Sequence, residues 1–209
     1  MGRTRDVSKI LTSNTSILTL ASASTTYAPI AAGGLVLVKP SSVGNATDNG
    51  NGFITFSATQ NFSLNGIFNS TYTNYKIVLN VTSGSGALYP RLRANSSDNS
   101  SAVYSNYSHY GRSGNANAVL TANENATEAA MVDNMSVASY DTIDIFNPNV
   151  NTNTSAHFQG LHISPSTVGY RVMAHWGGWN HNANYQADGI TFLCGSTMTG
   201  NITVYGYKK

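Results

Sequence analysis

The amino-acid sequence predicts an all-β protein: an antiparallel β-sandwich of jelly-roll type, preceded by an extended or short helical N-terminal arm. Three observations lead there. Of 209 residues, 41% are hydrophobic and only 10% charged, whereas an ordinary soluble domain carries about 25% charged residues. The polar surface is therefore built from uncharged groups, supplied by 25 Asn, 25 Ser and 22 Thr. Asn, Ser and Thr favour turns, and Thr joins Val, Ile and Tyr in favouring strands over helices. Finally, about ten short strand-like segments recur between turn clusters from Gly52 onward, the spacing of a sandwich or jelly roll.

The elements follow in chain order. Residues 1–33 read as an attachment or oligomerisation arm. Val7, Leu11, Asn14, Leu18 and Ala21 step by fours and threes, the a/d spacing of a coiled coil. Thr12, Thr15, Thr19, Thr25 and Thr26 are poor helix formers, and Ile17-Leu18-Thr19-Leu20 suits a strand equally. The arm is expected to order on a partner through Val7, Leu11 and Leu18. Residues 34–51 read as a linker with one short strand, Leu35–Val38, between Gly33-Gly34 and the Ser-, Gly- and Asn-rich run Pro40–Asn51.

Residues 52–209 carry the sandwich. Phe53–Ser57 and Phe62–Phe68 come first. Tyr75, Ile77, Leu79 and Val81 then alternate with Lys76, Val78 and Asn80, the period of a half-buried strand. Ala87–Ala94 contains Pro90, which marks an edge strand or bulge. Ala102–Gly111, Val137–Phe146, Ala156–Ile163, Tyr170–Trp176, Gly189–Cys194 and Asn201–Tyr207 complete the set. Gly84-Ser85-Gly86 and Asn147-Pro148-Asn149 are typical connecting turns. Ala122–Val132 is compatible with a helix or with a long loop over one end.

Several function classes fall away. A net charge of +2, with Arg3, Arg5 and Lys9 as the densest basic cluster, gives no electrostatic footprint for nucleic acid. No apolar run approaches the length that spans a membrane. The first residues, Met-Gly-Arg-Thr-Arg-Asp, lead into alternating apolar and polar residues rather than a signal-peptide core. Cys194 is the sole cysteine and follows Ile190 and Phe192 at strand period, as a buried small hydrophobe would. No catalytic residue is assigned. A Gly-x-Ser-x-Gly elbow is missing, and Asp141 and Asp144, three apart in a strand, fall on opposite faces. No metal or cofactor is expected either. His157 and His162 also point oppositely, and His175 and His181 have no Cys or acid ligand close by; they read as surface histidines of a hairpin.

Recognition remains. Tyr104, Tyr107 and Tyr110 sit in a Ser/Asn-rich stretch, and Trp176 and Trp179 share a glycine-rich segment with His181. Tyr and Trp supply large rigid contact area while Asn and Ser supply adaptable hydrogen bonds, a combination that suits saccharides and protein surfaces. The same aromatics could instead fill the core or a subunit interface. Asn-x-Ser/Thr triplets such as those at Asn69, Asn80, Asn106 and Asn201 read as turn and strand chemistry.

Further segments carry a resemblance. Phe62-Ser63-Leu64-Asn65-Gly66-Ile67-Phe68, Tyr72-Thr73-Asn74-Tyr75-Lys76-Ile77-Val78-Leu79, Ile143-Asp144-Ile145-Phe146-Asn147-Pro148, Asp188-Gly189-Ile190-Thr191-Phe192 and Gly200-Asn201-Ile202-Thr203-Val204-Tyr205-Gly206-Tyr207-Lys208-Lys209 are similar to a C-terminal module of tail-fibre and other virion proteins from tailed phages, cyanophages especially. The resemblance covers roughly Asn51–Lys209 and concerns a structural β module. It implies a virion location, on a tail fibre or the capsid surface, and a homotrimer joined to other tail or capsid proteins through its arm. A host-surface saccharide or protein is the implied target, bound without catalysis. A capsid or tail decoration protein is the alternative, and a polysaccharide-cleaving enzyme comes third.

Overall fold

A computed structural model of the chain describes residues 34–112, 115–135, 137–166 and 169–208. The arm expected over residues 1–33, with Val7, Leu11 and Leu18, lies outside them. The chain divides into Met1–Gly33 and Gly34–Lys209, and only the second is described. It is all-β, with fourteen strands: β1 Leu35–Val38, β2 Ser42–Gly44, β3 Thr47–Asp48, β4 Ile54–Asn65, β5 Asn74–Gly84, β6 Gly86–Ala94, β7 Ser97–Asp98, β8 Tyr104–Arg112, β9 Asn115–Ala126, β10 Val132–Met135, β11 Ala138–Phe146, β12 Thr152–Ser166, β13 Gly169–Tyr185 and β14 Gly189–Tyr207. Every strand pair among them is antiparallel. The main path runs β10-β6-β14-β5-β11-β12-β13-β8-β9.

The sandwich is made by bending, not by two separate sheets. β14 pairs with β6 over Gly189–Cys194 and with β5 over Met198–Gly206, while β4 lies along its other edge. β5 and β6 thus continue one another, broken at the Gly84-Ser85-Gly86 corner, opposite the register shift in β14 between Leu193 and Met198. Gly86 has φ +101, and a Cβ there would lie 3.1 Å from the Gly195 backbone; only glycine fits such a corner without strain. The two layers then face each other. The Leu92 N–H of β6 donates to the Tyr104 hydroxyl of β8 at 2.9 Å, and that hydroxyl donates to the Asn99 carbonyl. Between them lies one core that includes Ile54, Phe62, Leu64, Ile77, Leu79, Leu88, Phe158, Phe192 and Val204.

Pro90 sits where it costs the ladder nothing. Its carbonyl accepts from Ala129 N–H at 3.1 Å, so its nitrogen also faces that irregular side and not β14. Cys194 is buried, as its strand period predicts.

Four expectations need correction. The stretch His175–His181 is no hairpin loop but the middle of the 17-residue β13. Its glycines answer crowding, not turning: a Cβ on Gly177 would lie 2.2 Å from the Tyr107 carbonyl oxygen and 2.7 Å from the Phe158 ring. The helix or loop expected from Ala122 is strand as far as Ala126, because pairing along β8 overrides local propensity. Gly189–Cys194 and Asn201–Tyr207 are one strand, since Gly195-Ser196-Thr197 bulges rather than reverses the chain. The stretch 34–51 holds three short strands, not one, and they pair with β14 and β4.

Candidate functional site

Strand periodicity decides which nominated side chains can touch anything outside. On β8, Tyr104, Asn106 and Ser108 are buried and share one face, with Ser105, Tyr107 and His109 on the other. On β13, His175, Trp179 and His181 are buried, while Trp176 and Asn180 take the opposite face. The registers Trp179↔Asn106, Gly178↔Tyr107 and Trp176↔His109 then align the two strands face to face.

Three of the six candidate contact residues are therefore core residues. Tyr104, Trp179 and His181 form an internal aromatic cluster, with Tyr104 ring centroids 4.9 Å from His181 and 6.3 Å from Trp179. Burial pushes the Tyr104 hydroxyl well above its ordinary value. His181 is no surface histidine. Its Nδ1 donates to the Ala183 carbonyl at 3.0 Å, and its Nε2 accepts from the Asn99 amide at 2.9 Å. The Asn99 orientation is set because its Oδ1 already accepts from Ser101 N–H. Both ring nitrogens are satisfied only when the imidazole is neutral, and burial holds its pKa below the ordinary value. Tyr110 shares the inward face but is only half-buried, its ring 6.5 Å from His162.

The other two candidates stay at the surface, Tyr107 at 52% and Trp176 at 44% exposure. Around them the outward face of β8, β11, β12 and β13 presents two distinct surfaces. One is a hollow of about 500 Å³ beside Gly178, lined by Tyr107, Ser105, Asn123, Glu124 and Asn180 among others. Its rim is tied together: Ser155 Oγ donates to Asn180 Oδ1 at 2.8 Å, Asn180 Nδ2 donates to Asn182 Oδ1, and Asn182 Nδ2 donates to Ser105 Oγ at 2.6 Å. The second is an apolar groove of about 490 Å³ lined by Val78, Tyr140, Leu161, Ala174 and Trp176. Tyr140 (47% exposed) lies directly opposite Leu161 (49%), and Trp176 stacks obliquely on His109 at 4.4 Å.

A buried polar cluster lies behind this face. Ser139 Oγ donates to Asp141 Oδ2 at 2.6 Å, and His175 Nε2 meets Asp141 Oδ1 at 2.6 Å, both side chains almost fully enclosed. The His162 ring is 5.4 Å from that of His175. Gly160 makes room, since a Cβ there would sit 2.3 Å from Asp141 Oδ1. The serine donates to the carboxylate instead of to the imidazole, so this is not a nucleophile with its base. Asp144 takes the outward face, 2.8 Å from Lys76 Nζ. Burial alone would lower the Lys76 ammonium pKa, but Asp144 outweighs it and the net shift is upward. Among the described residues, no group of three or more His, Cys, Asp or Glu could hold a metal ion.

Sequence reasoning singled out neither Ser105, Asn123, Glu124 and Asn180 at the hollow nor Tyr140 and Leu161 at the groove. The only available signal was the strand alternation, which puts Ser105, Glu124, Asn180, Tyr140 and Leu161 on an outward face but turns Asn123, paired with Asn106, to the other, and their proximity depends on pairing between distant segments.

No protein-family model matches the chain, and no curated protein matches it. Among solved structures it is similar to the SPRY domain of human HERC1, over 78% of this chain and 98% of that one, at 7% identity and a TM-score of 0.24. That likeness is too slight to carry an argument.

Proposed function

We propose that the protein is a structural component of a tailed-phage virion, a tail fibre or spike subunit that adheres to the host cell surface without catalysis, as a homotrimer. The observation that carries this reading is the hollow beside Gly178. It sets the exposed ring of Tyr107 beside the hydrogen-bonding side chains of Ser105 and Asn180, with Glu124 also in its lining. A sugar ring needs one flat apolar face and several such partners. The motifs that resemble virion proteins fall on β4, β5, β11 and β14, the scaffold strands, leaving the hollow on strands free to differ between proteins. Single contacts of this kind are weak, and several copies on one virion sum them.

The test is adsorption competition. The full chain, folded and added before phage, is expected to lower adsorption to host cells, and Tyr107→Ala or Asn180→Ala to relieve the block. A folded chain that blocks nothing at saturating concentration would overturn the adhesive reading.

One observation favours a second reading, a decoration protein of capsid or tail. Leu161 and Val172, both 49% exposed, are aliphatic and suit a protein neighbour better than a glycan. Copy number per virion separates the two: a few trimers for a fibre, hundreds of copies for a decoration.

A further inference from the structure

We propose that the outward face of β11, β12 and β13 is a subunit interface, on which further copies of this chain pack the same patch around the three-fold axis of the trimer. Receptor contact is then left to the Tyr107 hollow, and Trp176 becomes an interface residue. The inference deepens the oligomeric part of the reading above and does not depend on adhesion.

The patch is contiguous by register. Tyr140 faces Leu161, Leu161 faces Ala174, Gln159 faces Trp176 and Ile163 faces Val172 across the two ladders that join these three strands. Tyr140, Leu161, Val172 and Trp176 alone leave on the order of 400 Å² of side chain in water, at the scale where a monomer's largest apolar patch is usually functional. Neighbouring Val78, Thr142 and Gln159 extend it toward the roughly 800 Å² per partner of a standard interface.

The chemistry selects the occupant. A sugar would call for a row of hydrogen-bonding side chains, whereas Leu161, Val172, Val78 and Ala174 offer none; Asn80 Nδ2 already donates to Asn201 Oδ1 at 3.0 Å, and Thr142 Oγ1 to the Gln159 carbonyl at 3.4 Å. Nor does the groove call for a charged partner, because the acid–imidazole pair in its lining, Asp141 with His175, is closed off beneath Gly160. The charges nearest the patch, Lys76 and Asp144, pair with each other at 2.8 Å, so copies of this face meet without net like-charge repulsion.

The sole cysteine is buried, so Leu161→Cys in the full chain creates one accessible thiol. A short bis-maleimide is expected to join Leu161→Cys into covalent dimers in high yield while Gln60→Cys, exposed on β4, stays single. Leu161→Asp is expected to weaken self-association about tenfold or more in sedimentation equilibrium, with an unchanged circular dichroism spectrum. Either of two results overturns the proposal: a wild-type chain that stays monomeric and uncrosslinked at high concentration, or an oligomer in which position 161 does not cross-link. Failed adsorption competition with efficient cross-linking at 161 would sink the adhesive reading and leave this one standing.

Discussion

At the scale of single residues, His181 makes the sharpest prediction. Its ring is held neutral by burial and by the amide of Asn99, so its pKa in the folded chain lies below the ordinary value of 6.5. Below that value the unfolded state binds the proton and the folded state does not, so the stability it contributes is lost as pH falls. Wild-type melting temperature should drop on acidification from about pH 6.5, and His181→Gln should drop less over the same window. Equal slopes for the two proteins would refute the assignment. The two aromatic faces separate as cleanly. Trp179→Ala should cost about 3–5 kcal/mol in urea unfolding because it empties the core, whereas Tyr107→Ala should stay within about 0.5 kcal/mol. Both were legible in the sequence as recognition-type aromatics. The face each occupies was not, because one residue of offset along β13 moves a ring from water to core.

At the scale of elements, strands with a clean alternation were visible beforehand. β5 is the clearest case, its Tyr75, Ile77, Leu79 and Val81 all buried. β13 was hidden because Gly177 and Gly178 resemble a turn, and nothing local reveals that the Tyr107 carbonyl presses on Gly177. β9 was hidden because its Ala, Asn and Glu residues have little strand preference, and its state is imposed by β8. The groove needed three strands to be placed side by side, which no one of them encodes. The β5–β6 corner yields the prediction proper to this scale. Gly86→Ala combines a left-handed φ with a 3.1 Å approach to Gly195, and should destabilise by about 1–3 kcal/mol. Urea midpoints of the two proteins check it; an unchanged midpoint would mean that the corner is not strained.

At the scale of the whole molecule, the described unit is closed by its ends. Leu35–Val38 pairs with Val204–Tyr207, and Lys208 N–H donates to the Gly34 carbonyl at 3.2 Å. β14 also carries β4, β5 and β6, so the fourteenth of the described strands is the one on which the others assemble. A chain ending at Ile202 should therefore lack a cooperative unfolding transition by circular dichroism. If the truncated chain instead melts cooperatively, the central role of β14 is wrong. Contacts this distant in sequence also place the protein among slow folders.

The same closure has a mechanical side. Under the adhesion proposed above, tension between a host surface at the Tyr107 hollow and an attachment through residues 1–33 would cross the sheet from β8 to β1, six ladders away and about 29 Å of sheet. Each ladder bears the pull along its hydrogen bonds, and the one nearest the tether, β1 on β14, has only four residue pairs. It gives way first, releasing about 14 Å of chain while the rest of the sandwich keeps its grip. If the proposed adhesion holds, a particle carried by such subunits would be moored on short slack lines, which take up a jolt before the hold on the cell is strained.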